Sequence, residues 1–407
     1  MVPLSAEKEI VRRIAATGRV TFAEFMDMAL YWPTGGYYAA VSSSALAPDY
    51  FTAPMAHPAF GALLSLQLEE MWRILGSLDP FVVLEPGAGS HRMAEDITAY
   101  AAHLTPAFGR ALRYVAVDRL VAPSHSDGYS LIQTVAAAGL PFKGVTGCII
   151  SNELLDALPV HRVVLHDGRL KEIYVTYRDG RFVEVEDDPS TQALTARLAE
   201  EGVTLAEGQR AEVCLAMSAW LQEAAAALER GFVLTIDYGH PAQELYSPQR
   251  SQGMLRCYYR HTLSGDPYIR VGRQDITAHV DFTAVAALGA RKGMSSQPLV
   301  TQAAFLNNLG LRSFIRRLAG SGLDQKERDA NRMAMLEMAR AGGMGDFKVL
   351  LQSKNVEVST ITGVRGADPE WQGRLAALPL PLLGAAHLSL MEARYPHTAQ
   401  AWGERWP

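Results

Sequence analysis

The hydrophobic pattern of the first 160 residues alternates between helical and extended segments. Apolar side chains recur at three- and four-residue spacing from Phe60 to Leu75, which predicts an amphipathic helix. Extended apolar runs follow at FVVLEP from Phe81, at LRYVAVD ending at Asp118, and at GCIISNE ending at Glu153. Strand, glycine turn, helix and strand in this order are typical of a doubly wound parallel sheet. We therefore predict an α/β fold.

The second half of the chain departs from this rhythm. Two Asp-Gly pairs join alternating segments between residues 161 and 187, which predicts a three-stranded antiparallel insertion. We expect the rest to comprise a helix around 205–229, a buried strand at 231–239, an irregular Tyr- and Arg-rich segment at 240–280, a helical block at 281–341 and a last strand at 347–354.

The length of the chain exceeds what one plain hydrophobic core accommodates. For 407 residues we expect one large domain with insertions, or two domains. The predicted segments are an N-terminal helical cap (1–60), the first part of the core (61–160), a β-hairpin insertion (161–190), the continued core (191–240), a lid and helical substrate-side insertion (241–341), the last core strand (342–356) and an apolar C-terminal tail (357–407).

Charge and composition exclude several classes of protein. Lys and Arg total 38 against 43 Asp and Glu, a net charge of −5, whereas a nucleic-acid surface usually shows a basic excess. No run approaches the roughly 18 apolar residues of a membrane span, and the N-terminus lacks the apolar core of a signal peptide. Three scattered cysteines and the His spacing match no disulfide framework and no metal motif. We expect a cytoplasmic protein with no metal, no nucleic-acid partner and no membrane span.

The most informative chemical feature is EPGAGS, which runs from Glu85 to Ser90. A strand that ends in a glycine turn and opens a helix lets backbone N–H groups, here around Gly87 and Gly89, approach a ligand closely. Dinucleotides and S-adenosylmethionine (SAM) both use such a turn. The dinucleotide fingerprint ends in a third glycine, where this chain has the bulky Arg92. Since Glu85 also suits the charged amino-acid end of SAM, we favour SAM and rank an NAD-linked oxidoreductase last.

Further polar residues end the next two strands. Asp118 follows the second strand, where an acid can accept hydrogen bonds from both ribose hydroxyls. Asn152, Glu153 and Asp156 follow the third, at the edge where open α/β sheets bind ligands, and we assign Asn152 to the cofactor. The two carboxylates can orient a guanidinium through bidentate hydrogen bonds. Capping of a helix by Asn152, with Asp156 on its first turn, is an equal alternative.

Two other groups of residues are candidates for chemistry. Asp237 and His240 end a further strand and suit a base or a substrate-positioning role, although a buried Asp satisfied by loop N–H groups is the alternative. Arg256 and Tyr258 belong to a dense polar and aromatic segment that suits a lid or a substrate-recognition loop, with structural stacking of Arg on aromatic rings as the alternative.

Residues near the N-terminus and before the helical block complete the candidates. Tyr37, Tyr38 and Thr52 are predicted to line a cap over the cofactor. His279 is predicted to point toward the ligand-binding edge of the sheet. Asp281, two positions after His279, is predicted to be the N-cap of the following helix rather than a site residue.

A family resemblance follows from motifs that occur in one order between about residues 8 and 352. The motifs are ALYWPTGGYY, DYFTAP followed by FG, LEPGAGS, SNELLDALPVHR, DYGH, GMLRCYYRH, QDITAHVDFTA, TQAAFL and GGMGDFKVL. The chain resembles the MidA-like SAM-dependent methyltransferases, which include the mitochondrial arginine methyltransferase that assists assembly of respiratory complex I. The combination of SNELLDALP with TAHVDFT is specific to this family.

The resemblance implies a Rossmann-like class I methyltransferase sheet of seven strands, mostly parallel with an antiparallel last strand, carrying helical and β-hairpin insertions. It implies SAM as cofactor, with Gly87 and Gly89 in the SAM loop and Asp118 on the ribose side. The expected reaction is methyl transfer to a nitrogen, an arginine, of a protein substrate. A homodimer is kept as an option.

Within this expected reaction, two pairs of residues receive roles. A guanidinium is a poor nucleophile because its charge is delocalised and its pKa exceeds about 12. Glu153 and Asp156 would localise that charge on one nitrogen and favour attack by another. Asp237 or His240 would accept the proton that the methylated nitrogen releases.

Two alternatives stay open, and departures from the family pattern motivate the first. Ser90 and His91 stand where members carry a further small residue, and Met55 replaces the glutamate of a P-E pair. These changes and the apolar tail motivate a catalytically weak or inactive assembly factor that retains the fold. A small-molecule O- or N-methyltransferase with a remodelled lid is the other alternative.

Overall fold

The structure is a computed structural model that describes residues 5–39, 51–119, 131–259, 262–358, 361–384 and 387. The chain divides into two compact units. The hairpin unit comprises Met1–Tyr50, Glu153–Leu221 and Gly239–Leu288, and the sheet unit comprises Phe51–Asn152, Gln222–Tyr238 and Gly289–Pro407. The seven-segment division of the chain stays a prediction. The Ser- and Pro-containing stretch before Phe51 and most of the tail beyond 384 lie outside the described residues.

The helices of the described residues vary from single turns to sixteen residues. They are α1 (Ala6–Thr17), α2 (Phe22–Tyr31), α3 (Ala53–Ala56), α4 (Ala59–Ile74), α5 (Arg92–Ala101), α6 (Pro106–Ala111), α7 (Ala193–Glu200), α8 (Met217–Ala227), α9 (Ala242–Leu245), α10 (Phe282–Arg291), α11 (Gln302–Leu309), α12 (Leu311–Arg317), α13 (Gln325–Glu337), α14 (Thr362–Arg365) and α15 (Pro369–Ala377).

The strands are distributed over both units. They are β1 (Val20–Thr21), β2 (Phe81–Pro86), β3 (Leu112–Asp118), β4 (Ile132–Ala136), β5 (Val145–Asn152), β6 (His161–His166), β7 (Arg169–Arg178), β8 (Arg181–Asp187), β9 (Arg210–Val213), β10 (Leu228–Asp237), β11 (Gly239–His240), β12 (Arg256–Tyr259), β13 (Thr262–Ser264), β14 (Asp275–Thr277), β15 (Val280–Asp281), β16 (Met294–Ser296), β17 (Val300–Thr301) and β18 (Lys348–Lys354).

The sheet unit is built on one mostly parallel sheet. Its strand order is β16-β18-β10-β5-β2-β3-β4, with β17 pairing to the same β18. Strands β10, β5, β2, β3 and β4 run parallel, and β18 is antiparallel to β10. The continuous apolar runs of the central strands suit burial on both faces of a sheet. The predicted α/β class, with a mostly parallel sheet and an antiparallel last strand, is confirmed, but the described part of the sheet has eight strands rather than the predicted seven.

One face of this sheet carries the main hydrophobic core. Side chains at alternate positions of the central strands, such as Val83, Cys148 and Phe232, pack with apolar side chains of α4 and α5. The predicted helix at 60–75 is confirmed as α4, and Leu64, Leu68 and the other predicted apolar positions are buried. Because these strands run parallel, their carboxyl ends lie at the same edge of the sheet. The polar residues that follow the strands therefore lie at that edge.

The hairpin unit contains a five-stranded antiparallel sheet. The path β1-β7-β6-β9 is extended by β8, which pairs with β7. The predicted Asp-Gly turns are confirmed: Asp167 and Gly168 have φ of 50° and 67°, and Asp179 and Gly180 have φ of 51° and 79°. Two successive positive φ angles are the geometry of a two-residue type I′ hairpin. The predicted three strands are therefore correct but incomplete.

Two predicted helical regions are wrong in extent. The helix expected at 205–229 begins only at Met217, because Arg210–Val213 pairs with β6 as strand β9. Pairing with a distant strand overrides local pattern here. The helical block expected at 281–341 is interrupted by β16 and β17, which pair with β18. The irregular segment expected at 240–280 also contains a small three-stranded sheet, in the order β13-β12-β14.

A buried glutamate anchors the C-terminal segment of the sheet unit. Glu69 on α4 forms an ion pair with Arg374 on α15 and accepts a hydrogen bond from the Thr105 backbone N–H at 3.0 Å. Arg73, half-exposed, lies 3.2 Å from the same carboxylate. The Arg317 guanidinium donates to the carbonyl oxygens that end α15, Leu375 at 2.8 Å and Leu378 at 2.6 Å. Polar contacts as well as apolar packing thus hold residues 361–384 in place.

Replacing Glu69 with alanine is expected to lower the free energy of unfolding by about 3–5 kcal/mol, because removing one partner of a buried ion pair leaves the other charge uncompensated. The measurement is chemical denaturation of the full chain. Arg73→Ala is the matched control and should cost under about 1 kcal/mol, since its guanidinium is half-exposed. Equal losses for the two variants would contradict the anchoring role of Glu69.

No helix in the described part of the chain is both long and apolar enough to cross a membrane.

Candidate functional site

The glycine turn after β2 is a tight connection between strand and helix. Gly87 and Gly89 have φ of 72° and 49°, and His91 has φ of 60° directly before α5 begins. The Gly87 N–H donates to the Val117 carbonyl oxygen at 2.8 Å, which fastens the turn to β3. Glycine adopts positive φ without the clash of a Cβ. The backbone is therefore exposed to close approach at this turn, as a ligand requires.

Asp118 ends β3 and contacts the glycine turn. Since β2 and β3 are parallel neighbours, their carboxyl ends lie at one edge of the sheet. The Gly89 N–H donates to Asp118 Oδ2 at 3.1 Å. The structure therefore brings together the glycine loop and the strand-end acid that the sequence singles out.

Glu85 lies beneath this turn in an apolar environment. Its side chain is 5% exposed, and it accepts a hydrogen bond from the Tyr114 hydroxyl at 2.8 Å. Burial raises the pKa of Glu85 to about 8, and the negative charge of Asp118 adds to the rise. Sequence reasoning missed Tyr114, although Tyr114 and Asp118 share a face of β3 by alternation. A nearby cation would favour ionised Glu85.

Asn152 and Asp237 end two further parallel strands of the sheet unit. Ile236 of β10 pairs with Asn152 of β5, so the two strands end side by side. Asp237 is fully buried, and its Oδ1 accepts a hydrogen bond from the Tyr238 N–H at 2.9 Å. By strand alternation, Asn152 shares the sheet face of Glu85, whereas Asp237 projects from the opposite face.

Thr52 occupies the N-cap position of α3, also in the sheet unit. Its carbonyl oxygen accepts hydrogen bonds from the Met55 and Ala56 N–H groups at 3.1 Å, and its side chain makes no capping hydrogen bond. Met55, where the family pattern has a glutamate, lies in this single turn.

Glu153 and Asp156 begin the next segment of the hairpin unit. Glu153 has φ of 51°, a left-handed conformation that is uncommon for a residue with a long side chain. The Asp156 carbonyl oxygen accepts a hydrogen bond from the Ala278 N–H at 2.9 Å, and the Tyr31 hydroxyl donates to the Ala157 carbonyl oxygen at 2.8 Å. Residues 153–157 therefore form a turn that is fixed by hydrogen bonds, and no α-helix begins at Asn152.

The N-terminal tyrosines belong to the same unit. The Tyr38 ring stacks on Tyr31 with centroids 5.3 Å apart and meets Tyr37 edge-on at 5.1 Å. The Tyr38 hydroxyl donates to Asp275 Oδ1 at 3.1 Å. Sequence reasoning missed Asp275, because its separation of 237 positions from Tyr38 leaves no local signal.

Tyr258 lies close to three carboxylates of the hairpin unit. Burial raises its pKa, and Arg256 opposes the rise, whereas the negative charges of Asp156, Glu153 and Asp275 increase it further. In the small sheet, Tyr258 pairs directly with Asp275. The candidate residues Glu153, Asp156 and Tyr258 are therefore neighbours in the fold.

His240 and His279 stack with ring centroids 5.5 Å apart. His240 Nδ1 lies 3.0 Å from Glu244 Oε2, and its Nε2 lies 3.0 Å from Arg250 Nη2. Because a guanidinium only donates, Nε2 must accept and Nδ1 must carry the proton toward Glu244. Burial lowers the pKa of His279 to about 3, with the charges of His240, Arg256 and Arg250 contributing, so His279 is neutral at physiological pH.

Asp281 caps a helix, as predicted. Its Oδ1 accepts hydrogen bonds from the Thr283 and Ala284 N–H groups at 2.9 and 3.1 Å, which satisfies the first turn of α10.

Among the described residues, no group of three or more His, Cys, Asp and Glu side chains is arranged to hold a metal ion.

The candidate residues fall into two sets. The sheet unit contains Thr52, Glu85, Gly87, Gly89, Asp118, Asn152 and Asp237, and the hairpin unit contains Tyr37, Tyr38, Glu153, Asp156, His240, Arg256, Tyr258 and His279. The first set includes a glycine turn, a strand-end acid and a buried acid, groups that suit a nucleoside with a cationic end. The second set combines carboxylates with aromatic side chains.

Comparison with known proteins decides between the cofactor classes. Residues 63–300, more than half of the chain, match the family described as "Putative S-adenosyl-L-methionine-dependent methyltransferase". The chain belongs to this family. The methyltransferase is also similar in structure to a protein from Burkholderia thailandensis that was crystallised with S-adenosyl-homocysteine. The TM-score is 0.77 at 29% sequence identity, and the match covers 91% of this chain and 99% of that chain.

Curated relatives extend the similarity in sequence. The Drosophila melanogaster protein arginine methyltransferase NDUFAF7 homolog, mitochondrial, is 26% identical over 322 residues, 71% of each chain. The mouse protein arginine methyltransferase NDUFAF7, mitochondrial, is 26% identical over 340 residues, 75% of this chain and 74% of that one. The predicted family, enzyme class and cofactor, SAM, are confirmed.

The raised pKa of Glu85 predicts that SAM binding by this methyltransferase depends on pH. If Glu85 pairs with the ammonium of SAM, it must lose its proton, so affinity should fall about tenfold per pH unit below about pH 8. Glu85→Gln should bind SAM weakly and without this dependence. Isothermal titration between pH 6 and 9 measures both.

The stability of the unliganded protein is expected to depend on the same proton. The folded state keeps Glu85 protonated up to about pH 8, whereas its ordinary pKa is 4.5, so the folded state binds more protons in that window. Stability should therefore fall as the pH rises from about 5 to 8. Glu201, whose pKa burial also raises, contributes in the same direction, so the difference between wild type and Glu85→Gln is the readout. Identical pH profiles for the two proteins would contradict the assignment.

Proposed function

We propose that this methyltransferase transfers a methyl group from SAM to a guanidinium nitrogen of arginine in a protein substrate. The observation that supports methyl transfer most directly is the hydrogen bond between the glycine turn and Asp118, within a family that uses SAM. Arginine as acceptor is supported by the names of the curated relatives and by the pair of carboxylates at Glu153 and Asp156.

The residues that would hold SAM lie at one edge of the sheet. The backbone at Gly87 and Gly89 can approach the ligand closely, Asp118 suits the ribose hydroxyls, and Asn152 lies on the same sheet face as Glu85. Glu85 fits the cationic end of SAM, because a buried carboxyl with a raised pKa gains most from an opposite charge. When bound, SAM supplies a methyl group on a sulfonium sulfur, which the acceptor nitrogen takes by displacement with loss of one proton.

The carboxylates of the hairpin unit would prepare the acceptor. A guanidinium reacts poorly because its positive charge is spread over three nitrogens. Glu153 and Asp156 would accept hydrogen bonds from two of its N–H groups and localise the charge on that side. The turn that carries them is fixed by hydrogen bonds from Tyr31 and Ala278, so little ordering is required at the moment of reaction.

Two residues are candidates for the proton that the methylated nitrogen loses. His240 has both ring nitrogens engaged, by Glu244 and by Arg250, so we propose that it orients its loop rather than accepts the proton. Asp237, at the end of β10, is the proposed acceptor, because a carboxylate can take up a proton directly.

Incubation of the purified full chain with methyl-labelled SAM and a cell lysate tests the proposal. The expected result is label on arginine side chains of one or a few proteins, identified by mass spectrometry after digestion. A Gly87→Val variant provides the background. Label on small molecules alone would replace the proposal with a small-molecule methyltransferase. SAM binding without any transfer would replace it with an assembly factor.

We propose the cytoplasm as the compartment, although the curated relatives named above are mitochondrial. Fractionation of cells that carry the tagged protein tests the compartment.

A homodimer is the proposed assembly, and light scattering on the purified protein at micromolar concentration decides between one copy and two.

A further inference from the structure

The small sheet of the hairpin unit has one face in the core and one outside it. Cys257 of β12 and Ile276 of β14 pair with each other and belong to the hydrophobic core of the unit. Because side chains alternate along strands, Tyr258 and Asp275 lie on the opposite face. Tyr258 also pairs with Leu263 of β13, so Leu263, Tyr258 and Asp275 form one row across three strands.

This row changes from apolar and exposed to acidic and buried. Leu263 is 57% exposed at the edge strand, Tyr258 is half-buried, and Asp275 is 3% exposed. The Tyr38 hydroxyl holds one oxygen of Asp275, and Glu153 and Asp156 carry charges that act on Tyr258. An apolar, exposed residue at one end of the row and a buried carboxylate at the other complement a side chain that has a long aliphatic stem and a cationic end.

Thr277 provides an independent indication of a ligand. It lies two positions after Asp275 on the same strand, so it shares the outer face, and it is 2% exposed. Within the described residues, its hydroxyl oxygen has no hydrogen-bond partner. A buried polar group without a partner costs about 1–3 kcal/mol. A ligand that donates hydrogen bonds would remove that cost.

A guanidinium fits these groups better than other polar ligands. It offers five N–H donors and no acceptor, whereas the carboxylate of Asp275 only accepts and the hydroxyl of Thr277 can accept. Arg256 is also on this face, paired with Thr277. Its Nη1 donates to the Leu255 carbonyl oxygen at 3.0 Å, and its charge also acts on Glu212, so its guanidinium is already engaged.

The strand order favours a segment that lies over the face of the sheet. Leu263 on β13 and Asp275 on β14 are separated by one strand, so a segment whose backbone lies over β13 can extend an arginine side chain across Tyr258 toward Asp275. We propose that the outer face of β13-β12-β14 binds the arginine-containing segment of the protein substrate, with Leu263 and Tyr258 contacting the aliphatic stem and Asp275 and Thr277 accepting hydrogen bonds from the guanidinium. This proposal rests on the proposed function, arginine methylation.

Steady-state kinetics of the full-length protein test the assignment. The acceptor is the unmethylated form of the protein whose arginine becomes labelled in the lysate experiment. Asp275→Asn should lower kcat/KM by about ten- to a hundredfold, the range for a hydrogen bond to a charged group. Leu263→Ser should raise the KM for the acceptor severalfold and leave kcat unchanged. Thr262→Ala, exposed on the same strand but on the opposite face, is the matched control and should resemble wild type.

The SAM-induced rise in melting temperature, measured for each variant, separates the possible failures. It should stay at the wild-type value, because these residues are assigned to the arginine substrate and not to the cofactor. Wild-type kinetics for both Asp275→Asn and Leu263→Ser would overturn the inference while leaving arginine methylation intact. If wild type itself labels no arginine, the proposed function fails, and this inference fails with it. Leu263→Ser, at an exposed position, keeps the test valid even if Asp275→Asn does not fold.

Discussion

Gly87→Val is expected to abolish the SAM-induced stabilisation of this methyltransferase. Gly87 has φ of 72°, a conformation that β-branched residues rarely adopt, and its N–H fastens the turn to Val117. At about a hundred times the Kd, one-site binding adds about 2.7 kcal/mol. That gain corresponds to a rise in melting temperature of roughly 3 °C for the wild-type chain of 407 residues. The variant should show no rise, because its side chain displaces the backbone that must approach the cofactor.

Gly168→Val is the matched control for this prediction. Gly168 has a similar φ of 67° but lies at the turn between β6 and β7 in the hairpin unit, and an added Cβ there meets no atom within 4 Å. This variant should lose stability through backbone strain and keep the full SAM-induced rise. A retained rise in Gly87→Val, or a lost rise in both variants, would argue against a specific role for the turn after β2.

Glu153→Gln and Asp156→Asn are each expected to reduce methyl transfer by about a hundred- to a thousandfold. The loss follows from removal of a charge that acts on the reacting group inside a site, an effect of about 2.7–4 kcal/mol in comparable cases. Both amides keep the size of the side chain, and the backbone hydrogen bonds to Asp156 and Ala157 remain available. The initial rate of label transfer to the protein acceptor, at saturating SAM, is the measurement.

The control for these variants is a carboxylate of the same unit outside the candidate site. Asp188 is largely exposed and pairs with Lys171 at 2.7 Å. Asp188→Asn should keep the wild-type rate. SAM affinity should be the same in all three variants, since Glu153 and Asp156 are assigned to the acceptor. A rate within threefold of wild type for both site variants would remove them from the mechanism.

The parts of the fold that could be predicted from sequence are those set by local pattern. The central strands are continuous apolar runs, and the two Asp-Gly turns require positive φ at adjacent residues, so both leave a signal within ten residues. The glycine turn is equally local. Its contact with Asp118 follows from the parallel pairing of two successive strands. The residues on the cofactor side of the site could therefore be predicted from the sequence.

The acceptor side could be predicted only in part. Glu153 and Asp156 are close in sequence, but Asp275 reaches its partner Tyr38 across 237 positions, and β1 pairs with β7 over a similar gap of more than 150 residues. Such pairings depend on the whole fold and leave no periodicity in either segment. The same limit explains why Arg210–Val213 reads as helix in the sequence yet forms a strand with β6.

The order of strands in the main sheet has a consequence for synthesis of the protein. Strand β18 lies between β10 and β16, but it is translated roughly 110 residues after β10 ends. At 5–20 residues per second, one long side of β10 lacks its partner for roughly 5 to 20 seconds on each ribosome. An apolar strand with an open edge invites pairing with other nascent chains. Expression at lower temperature, or with added chaperones, is therefore expected to raise the yield of folded protein.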